Sequence, residues 1–307
     1  MSNVLVIGSL NFDLSMQVNR LPKIGETIHG RSIDYFIGGK GANQAVAASR
    51  IINDVSLIGC LGNDTFGEKI KKHLKNENLN INNIETVSYT FTGMASIFKT
   101  EFDNAIVVIP GANDWVSETF IDKYEEQIKN AKVLLLQLEI PISSVLHIIK
   151  IAKKYKTTVI LNPAPYHDLS DEIINNVDFI TPNDSEFSDL CGSHFDYSEI
   201  ETQMLDWQSK HPNTQLIVTR GSQGVSFVRN NTIVTVKAFK ATVVDTTGAG
   251  DTFNGILAAK ISQNTTLDEA ITWANAGASL SVQKFGAQTG MPTYEEVNKL
   301  IKNYEVE

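Results

Sequence analysis

The chain has 307 residues, 42% hydrophobic and 20% charged, with a formal net charge of −9; this is an ordinary soluble globular composition, long enough for one large domain or two smaller ones. The negative charge disfavours a nucleic-acid partner, which asks for a basic face, but allows a nucleotide, whose phosphates need only local donors. Two cysteines, Cys60 and Cys191, exclude a disulfide framework; with no apolar run of about 18 residues and no secretory leader, the expectation is a cytoplasmic location and no membrane partner.

Taken in order, Val4-Leu5-Val6-Ile7 is a continuous apolar run of the kind buried on both faces of a sheet. It ends at Gly8-Ser9-Leu10-Asn11-Phe12-Asp13, and open α/β sheets place ligands at that end of a strand. Alone, Asn11 and Asp13 read better as turn chemistry. From Met16 to Phe36 the pattern alternates weakly, at Thr27-Ile28-His29-Gly30 and Ser32-Ile33-Asp34-Tyr35-Phe36, and predicts short, half-exposed strands. Ala95 to Thr100 and Ala105 to Ile109 predict a hairpin turning at Glu101-Phe102-Asp103-Asn104. The two segments, about 12–37 and 94–109, suggest a small β lid over a single α/β body spanning 1–307.

Between them, Gly38-Gly39-Lys40-Gly41-Ala42-Asn43-Gln44 runs into an alanine-rich helix. Lys40 and Asn43 stand three apart, so they share a first turn and can hold a polyhydroxylated ligand; the competing reading is a small-residue turn made for close packing. A helix is predicted over 64–76, with His73 a packing or surface residue. The six histidines show no metal-ligand spacing, so no structural zinc site is expected. Further on, Val133 to Leu138 predicts a buried strand ended by Glu139, which alone is as readily a surface carboxylate. A helix is predicted over 143–155. Core strands follow at Val159-Ile160-Leu161, Val177 to Ile180 and Leu216 to Thr219. They end at Asn162-Pro163-Ala164-Pro165, at Thr181-Pro182-Asn183-Asp184-Ser185-Glu186 and at Arg220-Gly221-Ser222-Gln223-Gly224. Strands alternating with helices imply βαβ units and a mainly parallel sheet flanked by helices in three layers. Polar turns recurring at strand ends look like a crevice.

Near the C-terminus, Thr242-Val243-Val244 predicts a strand end, followed by Asp245-Thr246-Thr247-Gly248-Ala249-Gly250-Asp251 and a helix carrying Phe253, Ile256, Leu257 and Ile261. Unpaired N–H groups and the helix dipole favour an anion there. Asp251 beside such a cradle can take a proton from a nucleophile attacking a phosphoryl group; the plain alternative is a glycine-rich turn. The stretch is neither a dinucleotide fingerprint, for lack of a third glycine, nor a P-loop, for lack of Gly-Lys-Ser/Thr.

With these three motifs in order, the chain resembles the ribokinase (PfkB-type) family of carbohydrate kinases over its whole length. The resemblance implies a ribokinase-like fold and ATP-dependent phosphorylation of D-ribose at its 5-hydroxyl, with another pentose, a hexose or a nucleoside as the alternative substrate. It implies Asp251 as the general base and the N–H groups of Gly248, Ala249 and Gly250 as the anion hole. Asn11, Asp13, Gly39, Lys40, Asn43 and Glu139 would hold the sugar; Asn183 and Glu186 would place Mg²⁺ and the triphosphate. Thr219, Gly221, Ser222 and Gly224 would line the nucleotide, with Asn275 near the adenine. Asp245, Thr247, Ser281, Lys284, Gly286 and Gly290 match the surroundings of an activating K⁺. A homodimer paired through the lids is implied as well. Ile256 and Gly290 depart from the family pattern, where small residues and serine are usual; neither touches Asp251. A silent sugar-binding protein on the same fold would be expected to lack Asp251 or its cradle, and a dinucleotide oxidoreductase would open on a GxGxxG.

Overall fold

The structure, a computed structural model, describes residues 3–101, 104–192 and 197–304. The strands in chain order are β1 (Val4–Ile7), β2 (Asn11–Gln17), β3 (Ser32–Gly38), β4 (Val55–Gly62), β5 (Leu79–Val87), β6 (Gly93–Lys99), β7 (Asn104–Ile109), β8 (Val133–Leu136), β9 (Thr158–Leu161), β10 (Phe179–Ile180), β11 (Gln215–Thr219), β12 (Val225–Arg229) and β13 (Thr232–Val236). Among the described residues, nine of them form one sheet in the order β13-β12-β11-β10-β9-β8-β1-β4-β5. From β11 to β5 every pairing is parallel; β12 and β13 add an antiparallel edge.

The continuous apolar runs explain the layering. Successive side chains of a strand point to opposite faces, so Val4 and Val6 enter one core and Leu5 and Ile7 the other. Leu135, Ile160 and Ile217 likewise face the first core, while Leu134, Leu136, Val159, Leu161, Leu216 and Val218 face the second. The first core is closed by helices Lys40–Ser49, Ala249–Ser262 and Leu267–Ser281, the second by Ile142–Tyr155 and Ile200–Lys210. Cys60 is buried, Cys191 is half-buried, and both are free thiols.

A second sheet, β3-β2-β6-β7, stands apart. β2 pairs antiparallel with β3 and parallel with β6, and β6 returns through the expected hairpin to β7. Phe102 and Asp103 of its turn lie outside the described residues.

Two expected strands are absent. Residues 27–30 carry no strand; their weak alternation has no partner, and the pairing starts at Ser32. Thr242, Val243 and Val244 are loop as well. Val243 and Val244 are exposed, and the N–H groups of Val244 and Asp245 both go to the Val282 carbonyl. The cradle is therefore held from the end of helix Leu267–Ser281, not hung on a strand. Helix Thr65–Leu74 is slightly shorter than predicted because Asp64 caps it, accepting from the N–H groups of Phe66 and Gly67.

Helices Lys40–Ser49 and Ala249–Ser262 cross at Gly255. A Cβ there would stand 2.4 Å from the Gln44 carbonyl oxygen and 2.9 Å from the Ala48 nitrogen, both rigid helix backbone. Gly255→Ala is therefore expected to destabilise the fold by about 1–3 kcal/mol, as overpacking does. A urea midpoint reads this out. Gly250→Ala, whose added carbon meets nothing within 4 Å beyond its own neighbours and helix turn, should stay within about 1 kcal/mol of the parent.

Candidate active site

Because β1, β8, β9, β10 and β11 run parallel and adjacent, their C-terminal ends share one edge of the sheet. That edge holds a cavity of about 170 Å³. It is lined by Lys40 from one crossing helix, by Gly248, Gly250, Asp251 and Asn254 at the start of the other, by Asn162, Thr181, Asn183 and Thr219 from strand ends, and by Glu186 from helix Asp184–Leu190. Seven of the expected site residues thus meet in one cavity: Lys40, Asn183, Glu186, Thr219, Gly248, Gly250 and Asp251.

Gly248 makes the N-cap of helix Ala249–Ser262 with φ 79°, a left-handed conformation, and a Cβ on it would press within 2.9 Å of Ala287. The Ala249 N–H turns back onto the Thr246 carbonyl at 3.2 Å, so that donor is engaged within the loop. The N–H groups of the next residues have no helical carbonyl behind them, and they border the cavity beside Asp251.

Asp251 is only 7% exposed, and side-chain amides meet both of its oxygens. Asn43 Nδ2 donates to Oδ2 at 2.9 Å and Gln44 Nε2 to Oδ1 at 3.1 Å. Asn43, expected to hold sugar, is also engaged at its other end, where Oδ1 accepts from Gln288 Nε2 at 2.9 Å.

The remaining expected sugar residues gather on the same side. Gly39 caps helix Lys40–Ser49. Glu139 Oε2 accepts from the Lys40 N–H at 2.9 Å and from the Ser9 hydroxyl at 2.5 Å. Asn11 Oδ1 accepts from Asn113 Nδ2 at 2.8 Å, leaving the Asn11 amide nitrogen for a ligand. The Asp13 carboxyl lies against Gly38, and its Oδ1 is buried without a hydrogen-bond partner. Burial and the nearby charges of Glu139 and Asp251 push Asp13 up to about 7. Burial works against the Lys40 ammonium, but the charges of Asp251, Glu139 and Glu186 outweigh it and hold its pKa above the usual value.

Asn183 and Glu186 form a capping box at helix Asp184–Leu190. Asn183 Oδ1 accepts from the Glu186 N–H at 2.9 Å, and Glu186 Oε2 accepts from the Asn183 N–H at 2.9 Å. Burial lifts the Glu186 carboxyl above its ordinary value, partly offset by that N–H and by Lys40. A hard oxygen at the cavity wall suits Mg²⁺. Thr219 lines the cavity, while Gly221, Ser222 and Gly224 form the turn beyond it. Asn275 Nδ2 donates to the carbonyls of Lys237 at 2.8 Å and Val236 at 3.4 Å, so this amide pins the loop after β13.

Of the expected cation residues, Thr247 and Gly286 bond to Asp245. Its Oδ1 accepts from the Thr247 hydroxyl at 2.6 Å and the Thr247 N–H at 3.0 Å, and its Oδ2 from the Gly286 N–H at 3.1 Å. Burial pushes this carboxyl up, but those hydrogen bonds and the Lys99 charge outweigh it and hold it below its ordinary value. Gly290 lies against the Ser281 carbonyl, and the Lys284 side chain turns away toward Glu296. Among the described residues no cluster of three His, Cys, Asp or Glu could ligate a metal.

Several residues of the site were given no individual role in the sequence. Ser9, Gln44, Asn113, Gln137, Asn162, Thr181 and Asn254 are all buried and hydrogen-bonded around it. The available signal was polar residues inside apolar or alanine-rich segments, where burial demands a partner.

Residues 1–294 match the family described as pfkB family carbohydrate kinase. Ribokinase from Lactococcus lactis is 42% identical over 307 residues, covering 100% of this chain and 99% of the relative. Deoxyribokinase from Salmonella typhi is 35% identical over 302 residues, covering 97% and 98%. The solved structure of Arabidopsis thaliana ribokinase complexed with ribose and ATP has a TM-score of 0.91 at 32% identity, covering 98% of this chain and 99% of that one.

The Asp13 shift carries a pH signature. Between about 4 and about 7 the unfolded chain has released this proton while the native chain retains it, so native stability falls as pH rises through that window. Asp13→Asn removes the effect. Relative to the parent, the variant should gain at least about 1 kcal/mol between pH 4 and pH 8, read from urea midpoints at each pH.

Proposed function

The chain belongs to the pfkB family of carbohydrate kinases, and from that premise we propose that it transfers the γ-phosphoryl group of ATP to the 5-hydroxyl of D-ribose, giving ribose 5-phosphate and ADP. The observation that carries this reading is Asp251, a buried carboxylate in the first turn of a helix, set against the Gly248–Gly250 backbone in a cavity it shares with Lys40. Similarity to ribokinases over the full chain supports the choice of sugar.

In this reading Asp251 accepts the proton of the sugar hydroxyl as its oxygen attacks the γ-phosphorus, and ADP departs. Negative charge on the transferring group meets the N–H groups at the helix start, with the dipole behind them. Lys40, the charged partner of three carboxylates, faces the same charge. Asn11, Asp13, Lys40 and Glu139 orient the sugar, Asp13 and Glu139 as hydroxyl acceptors. Gly39 lets the chain approach it, and Asn43 acts here through Asp251. The nucleotide lies along Thr219, Gly221, Ser222 and Gly224, with its base toward Asn275. Asn183 and Glu186 would help hold Mg²⁺, which would neutralise charge on the triphosphate. Asp245, Thr247 and the backbone of Ser281, Lys284, Gly286 and Gly290 would hold K⁺, which would brace the turn that carries the anion hole.

The whole chain is read as one ribokinase-like domain working in the cytoplasm, with the small sheet as a lid over the sugar. The lid also suggests assembly. Its edge strands leave Ile33, Tyr35 and Ile106 to Ile109 exposed, a liability in a monomer. A homodimer that covers these strands is expected, and light scattering at micromolar concentration would refute it by reporting the monomer mass.

A coupled assay of ADP release across pentoses, 2-deoxyribose, hexoses and nucleosides tests the reaction. D-Ribose should rank first, K⁺ should raise its turnover, and Asp251→Asn should lower kcat by about 10²–10⁴-fold. Ribose falling behind 2-deoxyribose or a nucleoside would overturn the substrate assignment.

A further inference from the structure

Behind Asp251 lies a closed circuit of buried polar groups. Gln44 Nε2 donates to Asp251 Oδ1 at 3.1 Å and to Asn162 Oδ1 at 3.0 Å. Asn162 Nδ2 donates to the Thr181 carbonyl at 3.0 Å, and the Thr181 hydroxyl donates to Asn254 Oδ1 at 2.6 Å. Asn254 Nδ2 donates to the Gly250 carbonyl at 2.9 Å, and Gly250 is covalently joined to Asp251. Gln44 is fully buried, Thr181 and Asn254 are 1% exposed, and Asn162 is 6% exposed. Behind Gln44, its Oε1 accepts from Gln137 Nε2 at 2.7 Å.

Gln44 does not line the cavity, although Asn162, Thr181, Asn254 and Asp251 do. It is also the one member contributed by helix Lys40–Ser49, so it ties that helix, two strand ends and the first turn of helix Ala249–Ser262 together. A glutamine amide is planar, and both of its ends are engaged here. Its rotamer is therefore fixed by Gln137 on one side and by Asn162 on the other, which fixes where its N–H groups point.

We propose that Gln44 is a positioning residue for phosphoryl transfer. It holds the Asp251 carboxylate in one rotamer and, through Asn162, Thr181 and Asn254, locks the anion-hole turn to the strand ends, without touching substrate. The proposal rests on the reading of Asp251 as the base. A polar ring of this kind is rigid when every member is satisfied and unfavourable when one is missing, so a single substitution at Gln44 loosens base and anion hole together. Misplacement of a reacting group by about 1 Å can cost about 10²-fold in rate.

Gln44→Met keeps the volume and removes all three hydrogen bonds. Gln44→Glu keeps the acceptor for Gln137 but removes both N–H groups that Gln44 donates. Each is compared with the parent and with Asp251→Asn, using D-ribose and MgATP and checking folding by near-ultraviolet circular dichroism. Both Gln44 variants should lose about 10²-fold in kcat with KM for sugar and ATP changed less than about threefold. A hydrogen bond to an ionised carboxylate favours the charged form, so its loss should move the acid limb of the kcat/KM profile up by about one pH unit. Lys40, Asp13 and Glu186 also act electrostatically on Asp251, and they are the same in every variant. The added carboxylate of Gln44→Glu should move the limb further than Gln44→Met does. If Gln44→Met loses the native near-ultraviolet spectrum, Gln44→Glu carries the same comparison. Unchanged kcat and an unmoved acid limb, or a rise in KM alone, would overturn the positioning role while a silent Asp251→Asn left the base assignment standing. Turnover surviving in Asp251→Asn would remove both.

Discussion

An ionised carboxylate in a protein interior is tolerated only when hydrogen-bond donors replace the water it has lost, and the site is built around meeting that requirement at Asp251. The helix start supplies part of it through its dipole; Asn43 and Gln44 supply the rest. Those two amides reach Asp251 only because their helix lies against Ala249–Ser262 at backbone contact, and that contact exists only where Gly255 carries no side chain. The alanines that follow Gln44 serve the same end, since small residues let two helices approach. The placement of Asp251 thus follows from the shape of a helix crossing about one turn away.

The sheet adds a second constraint. Parallel strands end on a common edge, so each strand that enters the edge brings its turn residues to the same place. Here those turns bring a surplus of negative charge: Asp13, Glu139, Glu186 and Asp251 all act on one another or on Lys40. A single buried ammonium cannot neutralise four carboxylates. Holding a proton on Asp13, which burial and the charges of Glu139 and Asp251 push up to about 7, is one relief. A bound cation at the cavity wall would be another. A site with this surplus of negative charge favours a ligand that brings positive charge with it.

How much of this could be read in the residues depended on the range of the interaction. Val4 to Ile7 and Val133 to Leu136 announced a two-sided sheet because burial on both faces leaves no polar alternation to hide it. The Gly248 to Asp251 cradle was legible because a left-handed glycine followed by a helix is a local property. Thr242 to Val244 misled for the same reason: β-branched residues favour strands locally, yet Val244 is held by the carbonyl of Val282, 38 positions away. Gln44 was the least legible. In an alanine-rich helix it reads as a neutral spacer, and its role exists only through Gln137, Asn162 and Asp251, which lie 93, 118 and 207 residues along the chain.

Asn183 and Glu186 show why local and functional readings of a motif need not compete. The pair satisfies each other's backbone N–H groups and starts a helix, which accounts for its spacing without any ligand. That same reciprocity removes the freedom of both side chains. Glu186 is left with one oxygen not used in the cap, on a residue that burial has made uncomfortable as an anion. Asp245 repeats the pattern: three N–H or O–H donors hold it in a turn, and the turn carries the anion cradle. In both places a carboxylate shapes the backbone and is itself fixed in doing so. Pre-organisation of this kind lowers the reorganisation needed when charge moves in the transition state, and it follows from the capping chemistry itself.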